Sequence, residues 1–112
     1  MAGIVQLSII DHPDLIGGAV YGVELGASDI ASDFGLLTER SFDDRDYFDV
    51  FCLEYKGVRM AFQHRFRQIG GGSMVSFGNL GKQNPVRLIA EVCNIDPEEV
   101  LIFDGAQYRT GT

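Results

Sequence analysis

The sequence feature that most constrains the fold is the stretch Tyr47–Phe66, which reads YFDVFCLEYKGVRMAFQHRF. In its second half, valine, methionine, phenylalanine and histidine occupy every second position, with arginine, alanine and glutamine between them. A period of two predicts a β-strand with one apolar and one basic face. The first half, Tyr47–Tyr55, is rich in aromatic and β-branched residues, which also favour a strand. Lys56-Gly57 separates the halves, and glycine adopts the positive φ of a tight turn, so the stretch predicts a β-hairpin.

A two-residue loop at the hairpin turn fixes which residues face each other. Apolar residues then meet on one face, and Asp49 lies opposite His64 among them. On the other face Glu54 lies opposite Arg59, and such pairs of opposite charge stabilise a hairpin. A three-residue loop would set Leu53 opposite Arg59, which is less consistent. We therefore predict the two-residue register.

The whole pattern predicts a single domain of the α+β class that spans residues 1–112. Two strands, a helix, the hairpin and a second helix follow one another without a repeat or a linker. We expect a mostly antiparallel sheet of four to five strands, with two to three helices packed on one face. Residues 105–112 form a polar tail that we expect to fray.

Three strands are expected outside the hairpin. Gly3–Ile10 is mostly apolar, so we predict a strand that is buried on both faces. Ala19–Leu25 also has strand composition, and Ser73–Phe77 is predicted to be a short edge strand. Residues 100–103 follow a capped helix start but are β-branched and aromatic, so helix and strand both remain open there.

Two helices are expected. The first begins with Ser28 as N-cap and ends near Thr38 or Glu39. Its buried face is predicted to carry Ile30, Phe34 and Leu37. The second begins with Asn84 as N-cap, followed by proline, and ends at Asn94, a residue type that tolerates the left-handed conformation.

Charge is distributed unevenly along the chain, whose net charge is −7. Residues 1–54 contain eleven acidic and two basic side chains, a net charge of −9. Residues 55–112 contain five acidic and seven basic side chains, a net charge of +2. An acidic surface repels the phosphates of nucleic acids and attracts basic groups. The distribution argues against nucleic acid as a direct partner and favours a basic protein.

We interpret the chain as a small acidic, non-enzymatic protein that neutralises or inhibits a basic protein partner. Immunity proteins and anti-defence inhibitors act in this manner, and a nuclease or another toxin is the expected class of partner. This interpretation is an analogy between classes of protein. The predicted partner-binding surface consists of six acidic residues, Asp29, Asp33, Glu39, Asp43, Asp44 and Asp46.

The first alternative function is a small enzyme that uses Asp49 and His64. A carboxylate beside an imidazole orients the ring for general acid–base catalysis. Ser73, Ser76 and Tyr55 are candidate nucleophiles, and the sequence does not place any of them beside the pair. A buried histidine that is simply satisfied by an aspartate has the same pattern.

The second alternative is a ligand-binding regulatory domain that uses the glycine-rich loop at residues 70–82. Backbone amides of such a loop and the following helix could hold a phosphate, with Lys82 and Arg87 nearby. The phosphate-loop motif G-x-x-x-x-G-K-[ST] is absent. Ser76 occupies the position of its first glycine, and Gln83 follows Lys82 where the motif has serine or threonine.

The remaining features predict no cofactor and no metal site. Cys52 and Cys93 lie in apolar patterns and are expected to be buried, reduced thiols. Asp11-His12-Pro13-Asp14 has the residue types of a turn. The sequence contains neither a recognisable signal peptide nor an apolar run long enough to span a bilayer, so we expect a cytoplasmic protein with no membrane partner.

Overall fold

The computed structural model describes residues 3–16, 20–42, 47–65, 72–103 and 108–110. In this part of the chain, eight strands form one sheet in which every strand pair is antiparallel. Two α-helices accompany the sheet. The predicted α+β class and antiparallel sheet are confirmed, whereas the expectation of four to five strands was too low.

The strands are β1 (Ile4–Leu7), β2 (Tyr21–Val23), β3 (Glu39–Phe42), β4 (Tyr47–Tyr55), β5 (Val58–Arg65), β6 (Ser73–Phe77), β7 (Leu101–Phe103) and β8 (Tyr108–Thr110). The helices are α1 (Ala27–Asp33), α2 (Pro85–Cys93) and two short 3-10 helices, Pro13–Ile16 and Pro97–Glu99. The order across the sheet is β1-β4-β5-β6-β2-β7-β8, and β3 also pairs with β4. Strands β4 and β5 of the hairpin therefore occupy the second and third positions of the sheet, inside the edge formed by β1 and β3.

The predicted hairpin register is confirmed for every described pair. Tyr55 lies opposite Val58, and the pairing continues to Phe48 opposite Arg65. Lys56 and Gly57 form the turn with φ of 51° and 79°. Two central residues with positive φ define a type I′ turn, whose twist matches that of a hairpin. Lys56 occupies the position at which asparagine, aspartate or glycine is usual.

Side chains along β4 and β5 point alternately to the two faces of the sheet, and a separate hydrophobic core lies on each face. The helical core lies between the sheet and both α-helices; its largest fully buried side chains include Phe51, Leu53, Met60, Phe62, Ile30 and Ile89. The turn core lies on the opposite face and consists of Ile9, Leu15, Phe48, Val50, Cys52 and Ala61. Both α-helices thus pack on one face, and the 3-10 helix Pro13–Ile16 covers part of the other.

The turn core is held by buried polar side chains of the central strands. Gln63 Nε2 donates a hydrogen bond to Ile16 O at 3.2 Å, and Ser76 Oγ donates one to Leu15 O. The Leu15 side chain is fully buried. Because these carbonyls cannot pair within so short a helix, the two side chains satisfy backbone groups that would otherwise be buried without a partner.

Helix α1 is shorter than predicted, and its cap was assigned wrongly. Gly26 is the N-cap, and Ser28 lies inside the helix. Gly35, with φ of 71°, ends it, and Leu36 N donates back to Ala31 O at 3.0 Å. This is the glycine-terminated end that many helices have. Leu37 therefore lies beyond the helix and is 83% exposed, not buried as predicted.

Three strand predictions need correction. β1 ends at Leu7 because the chain turns at Ser8, whose carbonyl accepts from Asp11 N at 3.1 Å. β1 is also not buried on both faces, since Val5 is 59% exposed. β6 covers the predicted residues, yet it lies between β5 and β2 and is not an edge strand.

The C-terminal elements resolve one open prediction. Residues 97–99 form the capped 3-10 helix, and Leu101–Phe103 is strand β7. Tyr108–Thr110, within the tail that we expected to fray, pairs with β7 as strand β8. Helix α2 has the predicted ends: Asn84 caps it, and Asn94 follows it with φ of 56°.

Candidate functional site

Two aromatic side chains are exposed at the end of the β3–β4 hairpin. The register places Phe42 opposite Tyr47, and their rings meet edge to face with centroids 6.2 Å apart. Phe42 is 74% exposed and Tyr47 is 58% exposed. The four residues that join them, 43–46, read Asp-Asp-Arg-Asp and lie outside the described residues. We call Phe42 and Tyr47 the aromatic pair; it brackets an acidic segment of the chain.

The six acidic residues predicted to bind a partner have different environments. Asp29 and Asp33 are exposed and lie one turn apart on α1, whose other face buries Ile30 and Ala31. Asp43, Asp44 and Asp46 lie outside the described residues. The sixth residue, Glu39, is half-buried in β3.

The carboxylate of Glu39 joins β3 to β1. Its Oε2 accepts a hydrogen bond from Ser8 Oγ at 2.8 Å, and its Oε1 accepts one from Ile9 N at 2.9 Å. Bonds to an ionised acceptor are stronger than neutral ones. Glu39 therefore has a structural role that the sequence analysis missed, because no pattern in the sequence links it to residues thirty positions away. Its contribution to partner binding stays a prediction.

Further exposed acids follow helix α2, in the half of the chain with net positive charge. These are Asp96, Glu98 and Glu99. The negative charge of Asp33, at the end of α1, contributes to raising the pKa of Cys93, the last residue of α2. The acids after α2 follow Cys93 within six residues of the sequence.

Arg40, Asp49 and His64 form a row across three strands. The registers place Arg40 opposite Asp49, and Asp49 opposite His64 as predicted. Arg40 Nε donates to Asp49 Oδ1 at 3.2 Å. His64 Nδ1 lies 2.8 Å from Gly72 O, and because a carbonyl only accepts, this nitrogen carries a proton. The row therefore places the His64 imidazole directly opposite a carboxylate on the neighbouring strand. Arg40 is a third member that the sequence analysis did not include.

The three candidate nucleophiles are engaged elsewhere. Ser73 Oγ donates to Leu25 O at 2.7 Å and is buried. Ser76 Oγ donates to a carbonyl of the first 3-10 helix, on the opposite face of the sheet. Tyr55 is at the far end of β4, where its hydroxyl donates to a glutamate of α2 at 2.8 Å. Ser76 and Tyr55 therefore lie away from the Asp49–His64 pair. The β5–β6 register continues to Ser73 opposite His64, but the Ser73 hydroxyl donates to Leu25 O.

The second part of the glycine-rich loop is folded against the hairpin turn. Asn79 Nδ2 donates to Gly57 O at 2.9 Å, and its Oδ1 accepts from Arg59 N at 2.7 Å. Gln83 Nε2 donates to Lys56 O at 3.1 Å. These hydrogen bonds show that Asn79 and Gln83 stabilise the hairpin turn, in which Lys56 has an unfavourable positive φ.

The proposed phosphate ligands of that loop lie around the start of α2. Lys82 and Arg87 are both exposed. Asn84 Oδ1 already accepts a hydrogen bond from Arg87 N at 3.2 Å, so the first turn of the helix is capped by its own side chain. Gly70 and Gly71 lie outside the described residues.

Glu91 ties the hairpin turn to α2. Its Oε1 accepts from Lys56 Nζ at 2.7 Å and from the Tyr55 hydroxyl at 2.8 Å. The hydrogen bond from Lys56 is the main cause that lowers the pKa of Glu91. The hydrogen bonds to Glu91 are likewise the main cause that raises the pKa of Lys56 and that of Tyr55. The three groups form one electrostatic cluster, in which Lys56 is exposed, Glu91 is half-buried and Tyr55 is buried.

Both cysteines are buried thiols, as expected. Burial raises the pKa of Cys52 to about 12, with a further contribution from the negative charge of Glu39. Burial, with a contribution from Asp33, likewise raises the pKa of Cys93 to about 12. A thiol with so high a pKa is a poor nucleophile and a poor metal ligand, because only the thiolate reacts.

Asp11-His12-Pro13-Asp14 forms a turn and the start of the first 3-10 helix, in agreement with its residue types. Across residues 3–16, 20–42, 47–65, 72–103 and 108–110, no group of three histidine, cysteine, aspartate or glutamate side chains is arranged to hold a metal ion.

Comparisons with protein-family models, with curated protein sequences and with solved structures gave no significant match.

None of the helices in the described ranges combines the length and the apolar composition needed to cross a membrane.

Proposed function

We propose that this protein is a small acidic, non-enzymatic binding protein that captures a basic protein and neutralises it in the cytoplasm. The observation that carries the proposal is the exposed aromatic pair, Phe42 and Tyr47, which brackets the acidic segment 43–46. Exposed aromatic rings are enriched at the centres of protein interfaces, where they supply much of the binding energy. Acids around such a centre suit a partner with basic side chains.

The charge of the chain supports the same proposal. Residues 1–54, which include α1 and the β3–β4 hairpin, carry a net charge of −9. Such a surface accelerates the encounter with a basic protein, and salt weakens the effect. Asp29 and Asp33 are exposed on α1, and Asp96, Glu98 and Glu99 are exposed after α2.

The test is affinity capture from an extract of the native host, followed by identification of the captured proteins. We expect the protein to retain a basic protein at low salt and to lose it as salt rises. Changing Asp43, Asp44 and Asp46 to lysine should abolish retention. Each change adds two charges, so the net charge moves from −7 to −1.

A matched variant separates the site from the total charge. Changing the exposed Asp11, Asp14 and Glu98 to lysine gives the same net charge of −1 with the acidic segment intact. This variant should still retain the partner. Equal retention by both variants, or capture of proteins that are not basic, would contradict the proposal. Neutralisation is then checked by adding the protein to the purified partner and measuring the partner's own activity.

The Asp49–His64 row keeps an enzymatic alternative open, because its geometry orients an imidazole. One finding weighs against it as the main function. The hydroxyls of the candidate nucleophiles Ser73, Ser76 and Tyr55 each donate to another group. Replacing His64 with asparagine, whose amide Nδ2 takes the position of the ring Nδ1, preserves a donor to Gly72 O. Partner capture that survives this substitution supports the binding function over the enzymatic one.

A further inference from the structure

Strands β1 and β3 form one composite strand along the same edge of β4. β1 pairs with Cys52–Tyr55, and β3 pairs with Tyr47–Val50. Both run antiparallel to β4, so they run in the same direction. Only the position opposite Phe51 separates them, and the Glu39 carboxylate bridges this gap through its bonds to Ser8 and Ile9. Together they extend along all nine residues of β4.

The two halves of the composite strand are in phase. Leu7 lies opposite Cys52 and Glu39 lies opposite Val50, so both face the turn core. The side-chain alternation therefore continues across the gap as in one unbroken strand. A single extended segment could pair with both halves without changing its direction or its register.

The outer side of this composite strand has no strand beside it in the described residues. Tyr55 and Val58 flank a two-residue turn, so their backbone groups form a hydrogen-bonded pair. Every second residue of β4, counted from Tyr55, therefore directs its backbone N–H and C=O groups to β5. The residues between them direct these groups to β1 and β3. In β1, Val5 and Leu7 use their backbone groups toward β4. The amides of Ile4 and Gln6, and of Phe42 in β3, face away from β4.

Exposed apolar side chains accompany this edge. Val5 is 59% exposed, Leu37 is 83% exposed and Phe42 is 74% exposed. Leu37 is held beside β1, since its carbonyl accepts from Gln6 Nε2 at 2.8 Å. An apolar strand edge is a site at which other chains add. The surrounding half of the chain has a net charge of −9, so a second copy of the chain is repelled and a basic segment is attracted.

We propose that the composite edge of β1 and β3 receives an extended basic segment of the partner, which pairs with it as an added strand. Main-chain hydrogen bonds to the outward amides and carbonyls supply the affinity. Alternate apolar side chains of the segment cover Val5 on the turn-core face, and the side chains between them lie on the opposite face, with Phe42 and Tyr47. This inference rests on the proposed function, and it adds the mode of binding.

The test uses a synthetic peptide that alternates lysine and valine over nine residues, the length of β4. Its effect is measured by amide hydrogen exchange with NMR detection. With free peptide at ten times its dissociation constant, we expect exchange at Ile4, Gln6 and Phe42 to slow about tenfold. A second peptide of the same sequence, with an N-methyl group on every residue, keeps the charge but cannot donate along either edge and should not protect them.

Two variants at one position test the edge from the side of the protein. Gln6→Pro removes an outward N–H without disturbing the pairing of β1 with β4. Gln6→Ala removes the bond to Leu37 O but keeps the N–H. We expect Gln6→Pro to bind the peptide about three- to tenfold more weakly than Gln6→Ala does.

Other outcomes would overturn the inference in distinguishable ways. Salt-sensitive peptide binding without protection of these amides would agree with capture of a basic partner by acidic residues. It would contradict strand addition at the edge of β1 and β3. Protection that rises with protein concentration in the absence of peptide assigns the edge to a second copy. If the peptide still protects these amides after Asp43, Asp44 and Asp46 are changed to lysine, strand addition at the edge is supported. The same result would contradict the proposal that the acidic segment attracts the basic partner. Absence of binding by the unmethylated peptide also rejects the edge.

Discussion

Gly72 lies where the backbone of another strand leaves no room for a side chain. A Cβ placed on it would be 2.5 Å from Val23 O, whereas a Cβ on Gly78 would be 2.8 Å from the flexible end of Leu15. The Val23 carbonyl belongs to the β2–β6 pairing, but a leucine side chain can rotate. We expect Gly72→Ala to lower the free energy of unfolding by about 1–3 kcal/mol, and Gly78→Ala to lower it by less. Urea denaturation measures both; a larger cost at Gly78 would contradict the explanation.

The Glu91 cluster predicts a pH dependence of stability with a definite sign. The pKa of Glu91 is lower in the folded protein than its ordinary value of 4.5. A lowered pKa stabilises the fold above the ordinary pKa, and this contribution disappears as pH falls through the folded value. Wild type should therefore exceed Glu91→Gln in free energy of unfolding at neutral pH, and the two should converge in acid. A difference that stays constant down to pH 3 would contradict the assignment.

At the level of single residues, sequence reasoning succeeded where contacts are local. The Asp49–His64 pairing followed from alternation and a two-residue turn, because both residues belong to one hairpin. The partners of Arg40 and Glu39 could not be predicted in this way. Their bonds depend on β3, whose existence depends in turn on pairing with β4.

Strand β3 relies on the junction that Glu39 makes with β1. Glu39→Ala removes the acceptor for Ser8 Oγ and Ile9 N, and Glu39→Gln keeps the shape of the side chain and one carbonyl acceptor. We expect Glu39→Ala to lower the free energy of unfolding by about 1–3 kcal/mol, with a smaller loss for Glu39→Gln. Hydrogen exchange at the Ile9 amide should accelerate in Glu39→Ala. Unchanged exchange at that amide would show that the junction does not depend on Glu39.

Among the elements, those with local signals were predicted well. Helix α2 has an asparagine cap, a proline and a left-handed asparagine in its own sequence, and both ends were correct. β3 and β8 were missed since each is short and lacks a run of β-branched residues, so that their strand conformation comes from their neighbours. Helix α1 was extended too far because the apolar spacing of Leu37 outweighed the signal of Gly35.

Over the whole molecule, the two cysteines report separately on the two cores. Cys52 belongs to the turn core and Cys93 to the helical core, on opposite faces of the sheet. Their pKa values of about 12 predict negligible reaction with a thiol reagent at pH 8 in the native state. If the sheet unfolds as one cooperative unit, both thiols should become reactive with the same denaturant midpoint.

Single-cysteine variants allow this comparison. Cys52→Ala leaves only the thiol of the helical core, and Cys93→Ala leaves only that of the turn core. After correction for the stability lost in each variant, coincident midpoints are the expected result. Exposure of the turn core well before the helical core would contradict one cooperative unit.

The composite edge strand has a consequence for synthesis on the ribosome. The partners of β1 on β4 are made 45 to 51 residues after β1 itself. At a translation rate of about 5–20 residues per second, the apolar segment that becomes β1 waits about 2–10 seconds before its partner is even synthesised. The β4–β5 hairpin, by contrast, closes locally within microseconds of emerging. Strand β1 can therefore be placed only once the middle of the chain has been made, and the nascent protein depends on remaining unaggregated until then.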